Sequence, residues 1–597
     1  MAIVTLKKMT LCGLLEEKSQ VLERLQRLGN AHLIPLTELP VSTEAASHQI
    51  TEKAVSALKY LMQCRNKRHQ VQSAEEFKLE EVVEQVQMVQ AECRRLADRR
   101  DFLLKRIAEV EPWGDFKLSE LAELGQIRLW FYIVPKRLMN KLDNELVYQV
   151  VHRDNINCYV VVLSEREPES TAVPVPRTHT GKVPLSQLKK QLEYTELQLE
   201  DIQAERESLT RWITQISKSL VKNQDQADLQ VAHTITLDSD PVFVVQAWIA
   251  ADDEERFMRF ANSQHIAVEI CDPEPEDRPP TLLANQENLA GGEDVIGFYQ
   301  TPAYHDWDPS VVVFFSFSLF FAMILSDAGY AAVFAILLAL KWRKMGRSHK
   351  GRRLRMLAAV TIVFSLVWGM LTGSYFGQAP AENGVLAMFK VLDLNDFDSM
   401  MRLSIAVGTV HIAFANLVRA YQKRHSLTML GPLGWVLVVS GGFIYWQAIS
   451  LADTTLRLCA SVMLVLGAVL LLFFNSDKKI KRPLDLVWRL LDGIMSLTGV
   501  TKMFGDVLSY MRLFALGLAS ASLALTFNQL AMQIYHSVSG IGLLFSLLIL
   551  LLGHSLNLVL CLMSGVVHGL RLNFIEFYNW SVSDEGYPFK SFSRKGD

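Results

Sequence analysis

Nothing in this chain's 597 residues spells out a familiar catalytic or metal site. The seven cysteines (12, 64, 93, 158, 271, 459 and 561) are scattered, with no CxxC and no paired spacing. That excludes a disulfide framework or a zinc site, and it suits a soluble portion facing a reducing cytoplasm. Net charge is -3, so no global basic field points to nucleic acid. The sequence has no GxxxxGK[ST], no dinucleotide-binding fingerprint and no HExxH, and neither a metal nor a cofactor is expected. The start, MAIVTLKKMTL, lacks the apolar run and cleavage site of a signal peptide. The soluble half is therefore expected to stay on the side where it was made.

What the chain does have is segregation. Half of it is apolar and 21% is charged, but the two kinds of residue are kept apart. Up to about residue 305 the patterning is that of a soluble protein. From about 310 onward, long apolar stretches alternate with short loops, as in a polytopic membrane protein.

In the soluble half, strands are expected at 3–14 and 31–36 around a helix Glu16–Leu28, which ends at Gly29. The pattern returns late, with strands His233–Leu237, Val242–Trp248 and Ile266–Ile270 and a helix Ala251–Ser263. Residues 1–42 and 225–300 are thus expected to form one proximal α/β lobe. Between them run two seams. Val82, Val86, Val89, Cys93, Leu96, Arg100, Leu103, Ile107 and Val110 repeat in steps of four and three. So do Leu185, Leu188, Leu192, Thr195, Leu199, Ile202, Arg206, Leu209, Ile213, Ile216 and Leu220. Such spacing makes a coiled-coil seam, paired with a second copy or folded back as an antiparallel hairpin over 43–112 and 183–224. The outgoing helix is expected to run roughly 45–60 residues, or about 70–90 Å. Pro112 stops it and Pro184 starts the return. Residues 113–182, with strand-like runs Ile127–Val134 and Cys158–Leu163 around a helix, read as a distal lobe.

The membrane half, 308–580, offers apolar stretches at Ser310–Leu340, Leu354–Tyr375, Leu403–Ala420, Gly434–Leu451, Leu456–Phe474, about 494–535 and about 541–579. The loop KWRKMGRSHKGRRLR (341–355) holds eight Lys and Arg, which marks it as cytoplasmic. Residues 310–340 must then cross twice, reversing at Ser326-Asp327-Ala328-Gly329. The later loops alternate accordingly: 377–402, with Glu382 and three aspartates, outside; RAYQKRH (419–425) inside; LADTT (451–455) outside; KKIKRP (478–483) inside; HSVSG (536–540) outside. Eight crossings put both termini in the cytoplasm, with 581–597 as a tail. The fold class expected is mainly α, with the last two membrane segments long enough to be tilted or bent.

Those two segments carry residues that hydrocarbon does not welcome. GDVLSYMRLFALGLASASLA (505–524) places Arg512 ahead of more than a dozen uncharged residues. In HSLNLVLCLMSGVVHGLRLNFIEF (554–577), His554, Asn557, Cys561, Ser564, His568 and Arg571 recur at steps of three and four, on one helix face. Such a stripe lines water or packs on a polar partner. Blander readings stand beside this one: Arg571 and His568 snorkelling to an interface, His554 satisfied in the interior, Arg512 locked in a salt bridge with Asp506. A permanently charged guanidinium at depth has a physical use, however. It favours ion release from a carboxylate passing it. Separate aqueous access on its two sides would stop ions from short-circuiting. The carboxylate would have to come from a partner.

The run GDVLSYMRLFALGLA around Arg512 and VVHGLRLNFIEFYNW around Arg571 closely resemble subunit I of V/A-type rotary ATPases, called subunit a in eukaryotes. FFAMILSDAGY (320–330) and WGMLTGSYFG (368–377) support the likeness, which spans the chain in architecture and is specific in the membrane half. The resemblance implies a non-catalytic stator subunit in a bacterial plasma membrane. Its cytoplasmic domain would bind peripheral-stalk E/G-type heterodimers. Its last two helices would face a proteolipid ring of c/K/L type, with a central-stalk or ring-cap subunit nearby. It further implies Arg512 as the essential stator arginine and Arg571 as a second channel arginine. The ion path would be drawn from these and from Asp506, Ser509, Ser520, His554, Asn557, Cys561, Ser564, His568 and Glu576. Two positions depart from the eukaryotic pattern, which has a histidine where Ser520 stands and a glutamate where Cys561 stands. A stand-alone secondary transporter would need paired repeats and broken midplane helices, and no internal repeat is evident. A membrane scaffold would leave Arg512 without a purpose.

Overall fold

The computed structural model describes residues 3–37, 44–72, 77–116, 127–143, 145–169, 172–181, 183–381, 384–475, 483–537 and 540–595. It divides into two compact units. One comprises Gly13–Gly29, Pro35–Val245 and Phe592–Asp597, and the other Met1–Cys12, Asn30–Ile34 and Gln246–Ser591.

The first unit is built on helices α1 (Lys18–Leu28), α2 (Glu44–Met62), α3 (Leu79–Val110), α4 (Leu185–Leu209) and α5 (Ile213–Ile235). The two seams close on each other within this chain. Leu103, Ile107 and Val110 of α3 pack with Leu185 and Leu188 of α4. Val82, Val86 and Val89 pack with Leu209, Ile216 and Leu220. The hairpin is therefore intramolecular and antiparallel. The outgoing limb is shorter than its seam suggested: α3 has 32 residues, or about 48 Å. The polar residues 63–72 leave the helix, so α2 is a separate piece that adds Ala54, Ala57 and Leu61 to the α3–α5 core. The Arg206 guanidinium stacks 3.9 Å from the Tyr60 ring centre and donates to the Tyr60 carbonyl at 2.7 Å, which fixes the join.

Beyond the hairpin lies a three-stranded antiparallel sheet in the order Arg128–Pro135, Asn157–Ser164, Tyr148–Arg153. The third strand escaped the sequence reading because it is an almost wholly exposed edge, without alternation to betray it. The helix expected here is a single 3-10 segment, Lys136–Lys141. A second correction concerns His233–Leu237. Ala232 and Ile235 continue the buried face of α5, so the helix runs through Ile235 and the strand begins at Leu237.

In the second unit, strand Ala31–Ile34, the Gln246–Ala250 part of strand Val242–Ala250, the Leu6–Cys12 part of strand Leu6–Leu14 and strand Ala267–Cys271 lie side by side in that order, with α6 (Glu254–Ser263) following in the chain. The C-terminal residues are built into this lobe. Thr281 N–H donates to the Tyr587 carbonyl at 2.8 Å, Phe589 N–H returns to the Thr281 carbonyl, and Lys590 N–H donates to His32 Nδ1 at 2.9 Å.

After the short α7 (Gly291–Gly297) comes the bundle: α8 (Ser310–Leu325), α9 (Ala328–Met345), α10 (His349–Thr372), α11 (Phe397–Gln422), α12 (Leu430–Leu451), α13 (Thr454–Phe474), α14 (Pro483–Leu497), α15 (Gly499–Leu508), α16 (Met511–Ser537) and α17 (Gly542–Arg571). A π-helical turn, Leu572–Phe577, then leads into α18 (Tyr578–Ser581). Six helical segments among the described residues are long and apolar enough to cross a membrane: His349–Thr372, Phe397–Gln422, Leu427–Leu451, Thr454–Phe474, Leu491–Ser537 and Gly542–Ser581. The reversal expected within 310–340 is present. α8 is only 16 residues long and ends where Ser326 turns left-handed (φ 44°), and α9 starts two residues on. Close approach holds the hairpin to α10, since a Cβ on Gly369 would meet the Ala328 nitrogen at 2.2 Å. The first of the two over-long segments is broken twice, at Thr498 and at Ser509–Tyr510. Most of KKIKRP, together with Glu382 and the middle of HSVSG, lies outside the described residues.

Two outcomes test this fold. Leu103→Ala, in the hairpin core, is expected to cost about 2–3 kcal/mol in chemical denaturation. Phe102→Ala, 65% exposed beside it, is expected to cost less than about 0.5 kcal/mol. The second concerns Asp238. Partial burial pushes its carboxyl up, but the Lys18 ammonium at 2.7 Å and the Thr236 hydroxyl override burial and hold it below the ordinary value. The stability this contributes is complete above the unfolded value of about 3.9, and it fades as pH falls through the lower folded value. Asp238→Asn should therefore destabilise at pH 7, by less than about 1 kcal/mol because the pair is part-exposed, and should match the wild type at pH 2–3.

Candidate functional site

The polar stripe of α17 divides into two groups with opposite hydrogen-bonding character. The first is closed. Asn557 donates from Nδ2 to the Tyr330 hydroxyl and to the Ser520 carbonyl, both at 3.0 Å. Ser520 Oγ lies 2.8 Å from Cys561 Sγ, and that thiol donates to Asn557 Oδ1. Tyr330 OH, having accepted from Asn557, has its own proton free for His554 Nδ1 at 2.7 Å. That assigns the His554 proton to Nε2, which faces Asn528 Oδ1 at 3.0 Å. Asn528 then donates to the Phe376 carbonyl. His554 is thus satisfied at both nitrogens, as the bland reading of it foresaw. Tyr330, on the first hairpin, and Asn528 complete the network, and sequence reasoning missed both. Their signal was weak, because neither lies in a polar run.

Behind this network stands Asp327. Its buried carboxylate accepts from Tyr330 N–H (3.0 Å), Ser374 Oγ (2.7 Å), Phe376 N–H (3.0 Å) and Gly377 N–H (2.8 Å). The loop after α10 is thereby fastened to the start of α9.

The second group is open. Arg512 follows the break at Ser509–Tyr510, and it makes no ion pair among the described residues; its Nη1 is buried without a partner. Asp506 does not take it, because the Trp580 indole donates to Asp506 at 2.8 Å instead. Around Arg512, near enough for their charges to act on one another, stand Arg571, His568 and Glu576. Arg571 Nε is 3.8 Å from Glu576 Oε1; the arginine is half exposed, whereas the carboxylate is buried in the π-helical turn. Two arginines thus lie near one carboxylate that pairs with Arg571 only, and Glu576 Oε2 and His568 Nδ1 lack hydrogen-bond partners among the described residues. π-helical turns recur at functional sites because the extra residue re-aims side chains. Here the turn brings Glu576 back toward the helix break that carries Arg512. Ser509 donates to the Gly505 carbonyl, and Ser564, part-buried between the two groups, belongs to neither.

A third element holds this region and carried no sequence signal. His411, buried on α11, stacks on Phe577 (4.3 Å, 8°) and bonds through Nδ1 to the Tyr510 hydroxyl at 2.7 Å. Tyr510 lies two residues before Arg512, and Phe577 follows Glu576. One side chain thus grips both helix irregularities.

Known proteins resemble this chain over most of its length. The "V-type ATP synthase subunit I" of Chlamydia pneumoniae is 28% identical over 586 residues, covering 86% of both chains. "V-type ATP synthase subunit I 1" of Treponema pallidum (strain Nichols) is 26% identical and covers 97% of both. The "A-type ATP synthase subunit I" of Methanocaldococcus jannaschii is 25% identical over 66% of this chain. This chain is a homologue of V/A-type ATP synthase subunit I. No family model matches it. A solved cytoplasmic N-terminal domain of subunit I, homolog of subunit a, of V-ATPase covers 44% of this chain at 15% identity, with a TM-score of 0.23 that is too low to carry argument. The homologues are membrane subunits of a rotary ATPase, and the six apolar helices make this subunit I homologue a multi-pass membrane protein.

The closed network predicts a stability effect. Asn557→Ala removes the donor shared by Tyr330 and Ser520. It is expected to lower the thermal stability of the detergent-solubilised chain by the equivalent of about 1 kcal/mol, whereas Ser564→Ala should leave the melting temperature unchanged.

Proposed function

We propose that this chain is the non-catalytic membrane stator of a rotary V/A-type ATPase and supplies the half-channels through which ions reach and leave a ring of carboxylates on a partner. The observation that carries this reading is Arg512: a part-buried guanidinium in an apolar bundle, unpaired by any described carboxylate, at a helix break and beside Arg571, His568 and Glu576. Burying such a group is costly, and a static structural role would have paired it. An unpaired arginine is ready for a carboxylate brought to it. Its field favours the ionised form of that carboxylate and so drives ion release. Arg571 would act as a second channel cation, with Glu576 limiting the local excess of positive charge.

In the same reading, eight segments cross a bacterial plasma membrane, α8 and α9 forming the first hairpin, and both termini are cytoplasmic. The proteolipid ring would lie against α16 and α17. The coiled-coil unit, with its distal lobe at 113–182, would anchor E/G-type peripheral stalks, and a central-stalk or ring-cap subunit would stand nearby.

ATP-driven ion uptake into vesicles holding the assembled complex tests the core of the proposal. Arg512→Ala is expected to reduce uptake by about a hundredfold or more while the complex still purifies with its ring and stalks. Undiminished uptake in an assembled Arg512→Ala complex would sink the stator reading.

A further inference from the structure

Eight of the fifteen residues from 341 to 355 are Lys or Arg, and no Asp or Glu stands between Asp327 and Glu382. Three of the eight are used inside the structure. The Arg352 guanidinium lies 3.4 Å from Glu287, and Arg353 pairs with Glu293 at 3.0 Å and with Asp294 at 3.6 Å. Arg355 reaches back across the α9–α10 turn, stacks 4.3 Å from the Trp342 ring centre and donates to the Trp342 carbonyl at 3.3 Å. The other five, Lys341, Arg343, Lys344, Arg347 and Lys350, are exposed, and among the described residues none has a carboxylate within ion-pair distance. Five like charges within ten residues repel one another, and the described chain supplies no anion to offset them.

These cations begin where an exposed apolar surface ends. Along α9, Ile336, Leu340, Arg343 and Lys344 follow at steps of four, three and one, so apolar and cationic side chains share one helix face. Ile336 is 61% exposed and Leu340 77%, so no part of the described chain covers that face. On the other side of the turn, α10 starts at His349 and is long and apolar enough to cross a membrane. The free cations therefore stand at the end of a membrane span. Trp342, whose ring Arg355 holds, is the kind of side chain that gathers at the boundary between hydrocarbon and water. Apolar surface gives way to positive charge within one helical turn, which is the profile of a phospholipid from acyl chain to headgroup.

We infer that the α9–α10 turn is a binding site for an anionic phospholipid, its phosphate held by Arg343, Lys344 and Arg347 and its acyl chains lying along Ile336 and Leu340. Charge complementarity selects the anionic headgroup, since clustered Lys and Arg beside a membrane span attract acidic lipid. The exposed apolar face selects a lipid over a free phosphate. The inference needs only the membrane-spanning character of the chain and is independent of the stator reading. Positive charge also orients a loop across a membrane, but orientation depends on the number of charges alone. Here Arg352, Arg353 and Arg355 are locked into contacts that fix the turn, and the free cations are gathered on the side that continues the apolar face.

The test is lipid titration of the full detergent-solubilised chain, read by native mass spectrometry, with cardiolipin and with phosphatidylcholine of the same acyl chains. The wild type is expected to bind cardiolipin about tenfold or more tightly than phosphatidylcholine. Arg343→Gln, Lys344→Gln and Arg347→Gln combined are expected to weaken cardiolipin binding about a hundredfold. Phosphatidylcholine binding and the melting temperature should stay unchanged, because all three side chains are exposed. A control removes the same charge from the other basic turn, as Arg419→Gln, Lys423→Gln and Arg424→Gln combined, and should leave cardiolipin binding within about twofold of wild type. No preference for cardiolipin, wild-type binding in the first variant, or an equal loss in the control each overturns the site. Glycerol phosphate at the lipid's own concentration is expected to leave bound cardiolipin in place. Displacement would assign the turn to a soluble phosphate and overturn the lipid reading.

Discussion

A carboxylate inside an apolar bundle has to be matched bond for bond, and Asp327 is matched four times over. Much of the bundle is organised by that requirement. The four donors come from the start of α9 and from the loop after α10, so the first hairpin and that loop are fastened to each other. Phe376 in the same loop receives Asn528 of α16, and Tyr330 one turn beyond Asp327 receives Asn557 and His554 of α17. Two long helices that no short loop could orient are thus referred to one fixed point. Gly517 allows the approach: a Cβ there would meet the Met323 carbonyl at 2.7 Å, so α16 lies directly on the end of α8.

The fold was legible wherever period and punctuation agree. The 3.5-residue seams located the hairpin, because burial of Val86, Leu103, Leu188 and Ile216 depends on spacing alone. Ser326-Asp327-Ala328-Gly329 located the reversal, because a polar pair followed by small residues allows a tight turn in an apolar run. The failures have the same physical origin. Tyr148–Arg153 is an exposed edge strand without alternation, and the tail of α5 is a short apolar run that serves equally as strand or helix. Only tertiary packing decides such cases.

The site was legible in part. Ionisable residues in an apolar helix stand out, so Arg512, Arg571 and His568 were singled out from composition and spacing, and Glu576 only through the family resemblance. The stripe of α17 was read as one face with one role, and spacing could not do better. Whether a polar residue faces water or a neighbour depends on what the adjacent helix offers. For His554, Asn557 and Cys561 the answer is Tyr330 and Ser520. For His568 and Arg571 the described residues offer one carboxylate for two arginines. His411 was invisible for the opposite reason: a single histidine in an ordinary apolar helix says nothing until its ring is found on Phe577.

This division bears on how a single helix pair could serve both sides of a barrier. The closed group contains no carboxylate, and each of its donors is used, so it holds α9, α16 and α17 together without inviting charge. The open group has the reverse balance, with cations in excess and acceptors unfilled. A stator arginine works only if ions cannot slip past it. In the proposed reading, that asymmetry supplies the condition: neutral, fully bonded packing on one side of Arg512 and unsatisfied polar groups on the other.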